Sequence, residues 1–151
     1  MIKVNVDAAL SKNSGVAVAA AVARHTNGDF AGTSAVVVED IVDPETMEAI
    51  ACKEGLALAS DLIMEQFRLA CDGANVMKSI KEAGMGPYGH IVQEIRARAR
   101  YFVKVDFVYE NRASNVDAHN LARSCISAAL GRHVWSLSPA DGVCKTYDYA
   151  H

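Results

Sequence analysis

The chain has 151 residues, a net charge of −3 at neutral pH and a hydrophobic fraction of 51%. That length fits one domain able to bury roughly 70% of its unfolded surface without disulfides or metals. The composition carries no overall basic character, which leaves any nucleic-acid surface to local patches. No apolar run is long enough to cross a membrane, so no membrane partner is expected.

Three β-rich runs come first. Residues 2–9 alternate, with Ile2, Val4 and Val6 on one face and Lys3, Asn5 and Asp7 on the other. Residues 15–26 and 29–40 flank Asn27-Gly28, a hairpin turn signal, and complete an antiparallel meander of three strands. The period then changes. Asp43-Pro44 reads as an N-cap with proline at the first helical position, opening a helix to about residue 62. Its positions 48, 51, 52, 55 and 59 carry Glu, Ala, Cys, Gly and Ala, a small-residue stripe suited to close packing on a sheet.

A fourth strand, FRLACD, ends at Asp72 and leads into a helix from about 74 to 83. A break at Gly84-Met85-Gly86-Pro87 precedes another helix over 88–101, and the fifth strand follows over 102–110. The last helix is expected over 114–130, with Ala118, Leu121, Ala122, Cys125 and Ala129 as its apolar face. Residues 131–151 have weak periodicity and read as an irregular C-terminal tail with Trp135 as its anchor. The order β-β-β-α-β-α-α-β-α predicts an α/β domain over 1–130. Its mixed five-stranded sheet has three antiparallel strands, then two parallel additions, and helices on both faces.

Three acids stand out. Asp7 lies inside an apolar strand, Glu48 on the small-residue stripe and Asp72 at the end of an apolar strand. Burying a charge without a partner is costly. If the fold gathers the three, they form an oxygen-rich site for a hard divalent cation. Cys52, Cys71, Cys125 and Cys144 show no CxxC spacing and read as buried free thiols in a reducing compartment. With no secretory signal, the cytosol or nucleus is the default location. Gly84-Met85-Gly86 lacks both the Walker pattern and the dinucleotide fingerprint. Ser11, Ser14 and Ser60 have no partnered histidine, and the five histidines show no zinc spacing.

Four segments occur in a telling order: VNVDAAL, DPETMEAIACKEGLALA, ACDGANVMKSI and NRASNVDAHNLAR. With them the chain resembles the ribonuclease H family over roughly residues 1–130. More narrowly, it is similar to the domains attached to plant non-LTR retroelement reverse transcriptases. The resemblance implies a ribonuclease H-like fold and catalytic, metal-binding acids at Asp7, Glu48 and Asp72. The fourth acid of the family falls on His119, as in many plant relatives. A histidine often carried just after the fifth strand is replaced by Tyr109, and a serine following the third acid by Gly73.

What the resemblance implies chemically is hydrolysis of the RNA strand of an RNA/DNA hybrid, with Mg²⁺ as cofactor and Mn²⁺ as the alternative. Asp7 would bridge two ions, Glu48 and Asp72 would hold one each, and His119 would complete the second. Arg96, Arg98, Arg100 and Lys104 form the strongest basic region, with Arg96 and Arg100 on one helix face; a phosphate track and a solvated face are both consistent with it. Asn75, Arg112 and Asn115 lie near the expected site, where backbone contacts compete with capping and surface roles. A catalytically weakened nucleic-acid-binding domain is the alternative function, and another nuclease or an integrase of the same fold is a third. Met1 stands one residue before the first strand, as expected of a domain separated from a larger reverse transcriptase polyprotein.

Overall fold

The computed structural model describes residues 1–82 and 86–136. Its strands are β1 (Ile2–Leu10), β2 (Val16–Arg24), β3 (Phe30–Glu39), β4 (Gln66–Cys71), β5 (Lys104–Tyr109) and β6 (Gly131–Ser136). The helices are α1 (Pro44–Asp61), α2 (Ala74–Glu82), α3 (Gly89–Ala99) and α4 (Val116–Ser124), the last preceded by a 3₁₀ turn over Arg112–Asn115. The expected break at 84–87 falls partly outside the described residues.

The six strands form one mixed sheet in the order β5-β4-β1-β2-β3-β6. β1, β2, β3 and β6 pair antiparallel in turn, while β4 joins β1 and β5 joins β4 in parallel. The first hairpin closes where expected: Gly28 takes a φ of 93° and His25 N–H donates to Asp29 O at 2.9 Å. The sheet is covered on both sides. Val4, Val6, Ala17, Ala19 and Ala21 face the core formed with α1 to α3, whereas Val18, Ala20 and Val22 face α4.

The small-residue stripe of α1 sets its distance from the sheet. Asp43 caps the helix through Thr46 N–H at 3.1 Å, with Pro44 in the first turn. At Gly55 a Cβ would stand 2.7 Å from Val6 Cγ1 and 2.9 Å from Leu69 Cδ1. Only glycine allows this approach, which draws the helix onto β1 and β4 and carries Glu48 toward their ends.

Two expectations are corrected at the C-terminal side. The last helix ends at Ser124, not near residue 130. Ser124 Oγ–H donates to Leu121 O at 2.9 Å, competing for the final helical carbonyls. Ala118, Leu121, Ala122 and Cys125 are buried as expected, but Ala129 is exposed. The tail is not irregular throughout: Gly131–Ser136 forms β6 on the free edge of β3, making the sheet six-stranded rather than five-stranded. Gly131 enters that strand at a φ of 112°, a conformation that favours glycine. Residues 137–151, including Cys144, lie outside the described residues.

α1 closes with a Schellman arrangement in which Ile63 N–H donates to Ser60 O at 3.1 Å and Met64 N–H to Ala59 O at 3.0 Å. Ile63 occupies the left-handed position with a φ of 55° and a fully solvent-facing side chain. A β-branched residue there costs about 1 kcal/mol or more relative to glycine. Ile63→Gly should therefore raise the melting temperature by a few degrees, roughly what 1 kcal/mol gives at this size. Thermal unfolding followed by circular dichroism checks it, and a fall in melting temperature would contradict the strain.

Candidate active site

The parallel pairing of β1 with β4 runs from Ile2–Phe67 to Val6–Cys71 and stops there. One residue further on, Asp7 continues along β1, opposite Ala20 of β2, while Asp72 leaves the sheet toward α2. The two acids thus stand where neighbouring strands part. Glu48 reaches the same region from the second turn of α1. Its carboxylate rests against Gly73, where a Cβ would stand 2.0 Å from Glu48 Oε2. The glycine that replaces the expected serine therefore leaves the space that this carboxylate occupies. From the opposite side of the sheet, α4 presents His119, whose Nδ1 lies 2.9 Å from Asp7 Oδ2. In the Nδ1–H tautomer the ring donates to the carboxylate and keeps its Nε2 lone pair.

The acids oppose one another. Burial, then the nearby Asp72 charge, raises the Asp7 carboxyl above its usual range, and hydrogen bonds from the Ala8 backbone and His119 counter this only partly. Glu48 is pushed up to about 7, first by burial and then by the charges of Asp72, Asp7 and Glu45. Two carboxylates ~4 Å apart repel by about 4 kcal/mol at an effective dielectric near 20. Burial and this repulsion together raise both carboxyls, and a divalent cation between them would offset both effects. Ligand atoms of Glu48, Cys71 and Asp72 all lie within 4.8 Å of one another, and among the described residues they form the compact donor set. The oxygen donors fit Mg²⁺ or Mn²⁺, ions that favour carboxylates over softer ligands.

Of the residues expected to meet nucleic acid, Arg112 is the one beside the acids. Its Nε lies 3.6 Å from Asp72 Oδ2 and its side chain is largely exposed. Asn75 stands at the rim, donating to Glu45 Oε2 at 2.9 Å, while the Tyr88 hydroxyl donates to Glu45 Oε1 at 3.1 Å. Glu45, one turn before Glu48 and close enough to raise its pKa, escaped the sequence reading. Asn115 is turned into the protein rather than toward a nucleic-acid backbone. It is buried, accepts from Asn5 Nδ2 at 2.9 Å and donates to Val6 O at 2.8 Å, tying the start of α4 to β1. Arg96 and Arg100 are not brought to the acids. They line a separate cavity of about 270 Å³ with Ile80, Lys81, Ala99 and Phe107, and Arg96 donates to Ile80 O. Both lie near the C-terminus of α3, where cations complement the helix dipole. Tyr109 ends β5, in register with Cys71, and is exposed.

Residues 5–125 match the family described as reverse transcriptase-like. No curated protein sequence matches the chain. Among solved structures, RNase H1 from the halophilic archaeon Halobacterium salinarum is similar at a TM-score of 0.71 and 22% identity, over 85% of this chain and 98% of that one. The N-terminal RNase H domain of Rv2228c from Mycobacterium tuberculosis has a TM-score of 0.72 and 20% identity, over 85% and 96%. LC11-RNase H1, isolated from compost and solved in complex with an RNA/DNA hybrid, has a TM-score of 0.66 and 14% identity, over 83% and 96%. At these identities the likeness is one of fold, an α/β ribonuclease H-like sheet with four helices.

Proposed function

The chain belongs to the reverse transcriptase-like family, and from that premise we propose that it is a metal-dependent endonuclease cleaving the RNA strand of RNA/DNA hybrids. The observation that carries this reading is the convergence of Asp7, Glu48 and Asp72 from three separate elements at the end of the β1–β4 pairing, at the cost of raised carboxyl pKa values. The site residues are Asp7, Glu48, Asp72 and His119, and the cofactor is Mg²⁺, with Mn²⁺ able to replace it. When bound, the ions supply an activated water and stabilise the charge that develops on the scissile phosphate, giving 5′-phosphate and 3′-hydroxyl ends.

The chain's own groups do the rest. Asp7 and Asp72 present carboxylate oxygens from the point where adjoining strands part, and Glu48 is held over Gly73 by the close packing of α1. His119 orients the Asp7 carboxylate through its Nδ1 and offers Nε2 on its other side. Arg112, exposed next to Asp72, meets the phosphate backbone of the approaching strand. A hybrid is recognised by shape and 2′-hydroxyls rather than base edges, so little sequence preference is expected. Retroelement origin, with the domain serving a larger reverse transcriptase, is part of the same proposal.

The test is cleavage of a labelled RNA/DNA hybrid with Mg²⁺ or Mn²⁺, alongside Asp7→Asn. Cleavage no greater in the parent than in the variant, in either metal, would hand the function to the second reading, a nucleic-acid-binding domain with a weakened site. His119 in place of a carboxylate is the observation that favours that reading, because imidazole suits softer ions than Mg²⁺. It also predicts a metal preference. His119→Asp should strengthen the response to Mg²⁺ roughly tenfold relative to Mn²⁺, since one added carboxylate contact is worth on the order of 1.4 kcal/mol. Metal titrations of cleavage rate check this, and equal Mg²⁺ responses in parent and variant would remove the role assigned to His119.

A further inference from the structure

The site contains a sulfur atom that Mg²⁺ chemistry does not use. Cys71 is the last residue of β4, directly before Asp72, and its Sγ accepts from Gly73 N–H at 3.2 Å. That bond turns the sulfur toward the loop carrying the acids. A side chain at Gly73 would stand 3.3 Å from Cys71 Sγ and 2.0 Å from Glu48 Oε2, so the sulfur and the carboxylate approach the same bare face of the glycine. Asp72 closes the group, with all three ligand atoms within 4.8 Å of one another. Behind it lies the fully buried Cys52, one helical turn beyond Glu48 and beside Cys71. Cys71 is thus a core thiol whose sulfur lies at the edge of an acidic cluster, whereas Cys125 is buried beneath α4 away from the acids.

We propose that Glu48, Cys71 and Asp72 form a mixed sulfur–oxygen site for a single thiophilic divalent cation, Zn²⁺ or Cd²⁺, in competition with Mg²⁺. The inference deepens the reading of Glu48 and Asp72 as metal ligands and rests on it. A thiolate with two carboxylates suits borderline and soft ions, whereas Mg²⁺ gains nothing from sulfur. Binding replaces the Cys71 S–H bond with a metal–sulfur bond and releases one proton to solvent. An ion seated at the Cys71 side of the site removes Glu48 and Asp72 from the oxygen set that Mg²⁺ needs. The expected consequence is a nuclease that Zn²⁺ silences rather than supports.

The probe is Cd²⁺ added to the reduced 151-residue chain, read by the sulfur-to-cadmium charge-transfer absorption in the ultraviolet. The band should saturate at one ion per chain, fade on addition of Zn²⁺, vanish in Cys71→Ala and persist in Cys52→Ala. Glu48→Gln and Asp72→Asn should each raise the Cd²⁺ midpoint tenfold or more, which a lone reactive thiol would not do. These two variants keep the test decisive should Cys71→Ala fail to fold. The proposal is overturned by a band that survives in Cys71→Ala, by midpoints unmoved in the two carboxylate variants, or by no band in the parent. A band in a chain that never cleaves a hybrid leaves this site standing and removes only the nuclease reading; cleavage without a band does the reverse.

Discussion

Asp7→Asn should lower hybrid cleavage by on the order of a hundredfold or more while leaving the metal-free chain at least as stable as the parent. The two effects share one cause. Asp7 is buried, faces the Asp72 charge, and its carboxyl sits above the usual range. A carboxyl whose pKa is raised by folding stabilises the folded chain most below its unfolded pKa, and that contribution is lost as pH rises through the folded value. For Glu48 the window is explicit: without metal, its contribution to stability declines from about 4.5, its ordinary value, through about 7. The neutral amide at position 7 removes one of the charges that raise Glu48, so the decline should be shallower in the variant. Urea unfolding in EDTA across this range measures both slopes. Adding Mg²⁺ should raise the parent's stability by mass action and have much less effect on the variant. Equal Mg²⁺ stabilisation of both chains would mean that Asp7 is not a ligand, whatever its effect on rate.

Much of this site was legible because costly residues interrupt regular patterns. An acid within IKVNVDAAL and another closing FRLACD break alternations that otherwise read as core, and the stripe carrying Glu48 was visible at helical spacing. Their meeting point followed from strand order. What stayed hidden depends on contacts between distant segments. Cys71 reads as a buried free thiol, and it is buried; only the turn at Gly73 reveals that its sulfur shares space with Glu48. Asn115 looked available for a ligand, but the spacing of NRASNVDAHNLAR cannot tell that Asn5 and Val6 consume both its polar groups. The six residues of β6 alternate Arg132 and Val134 with His133 and Trp135, a signal too short to separate from an irregular tail. What makes them a strand is the free edge of β3 and one arginine.

That arginine carries the largest expected effect on stability. Arg132 Nε donates to Glu54 Oε2 at 2.8 Å and to Oε1 at 3.1 Å, and its Nη2 donates to Asp61 Oδ2 at 2.6 Å. Glu54 is buried on α1, and its only other polar contact among the described residues is the Ser34 hydroxyl at 2.6 Å. Arg132→Ala would leave a buried carboxylate without its cation, a lesion worth about 3 kcal/mol or more. At this chain length that corresponds to a fall of roughly 6–12 °C in melting temperature. Pairing it with Glu54→Gln should recover most of the loss, because the cost lies in the stranded charge rather than in the missing contact. A double-mutant cycle by chemical denaturation separates these, and additive losses would show the two residues to be uncoupled. The damage should also be local. Among the described residues β6 pairs with β3 alone, so its amides should exchange with solvent faster in Arg132→Ala before the rest of the sheet loosens. Because β6 and β4 lie on opposite sides of the β1–β2–β3 meander, the folded fraction of this variant should retain the parent's metal response.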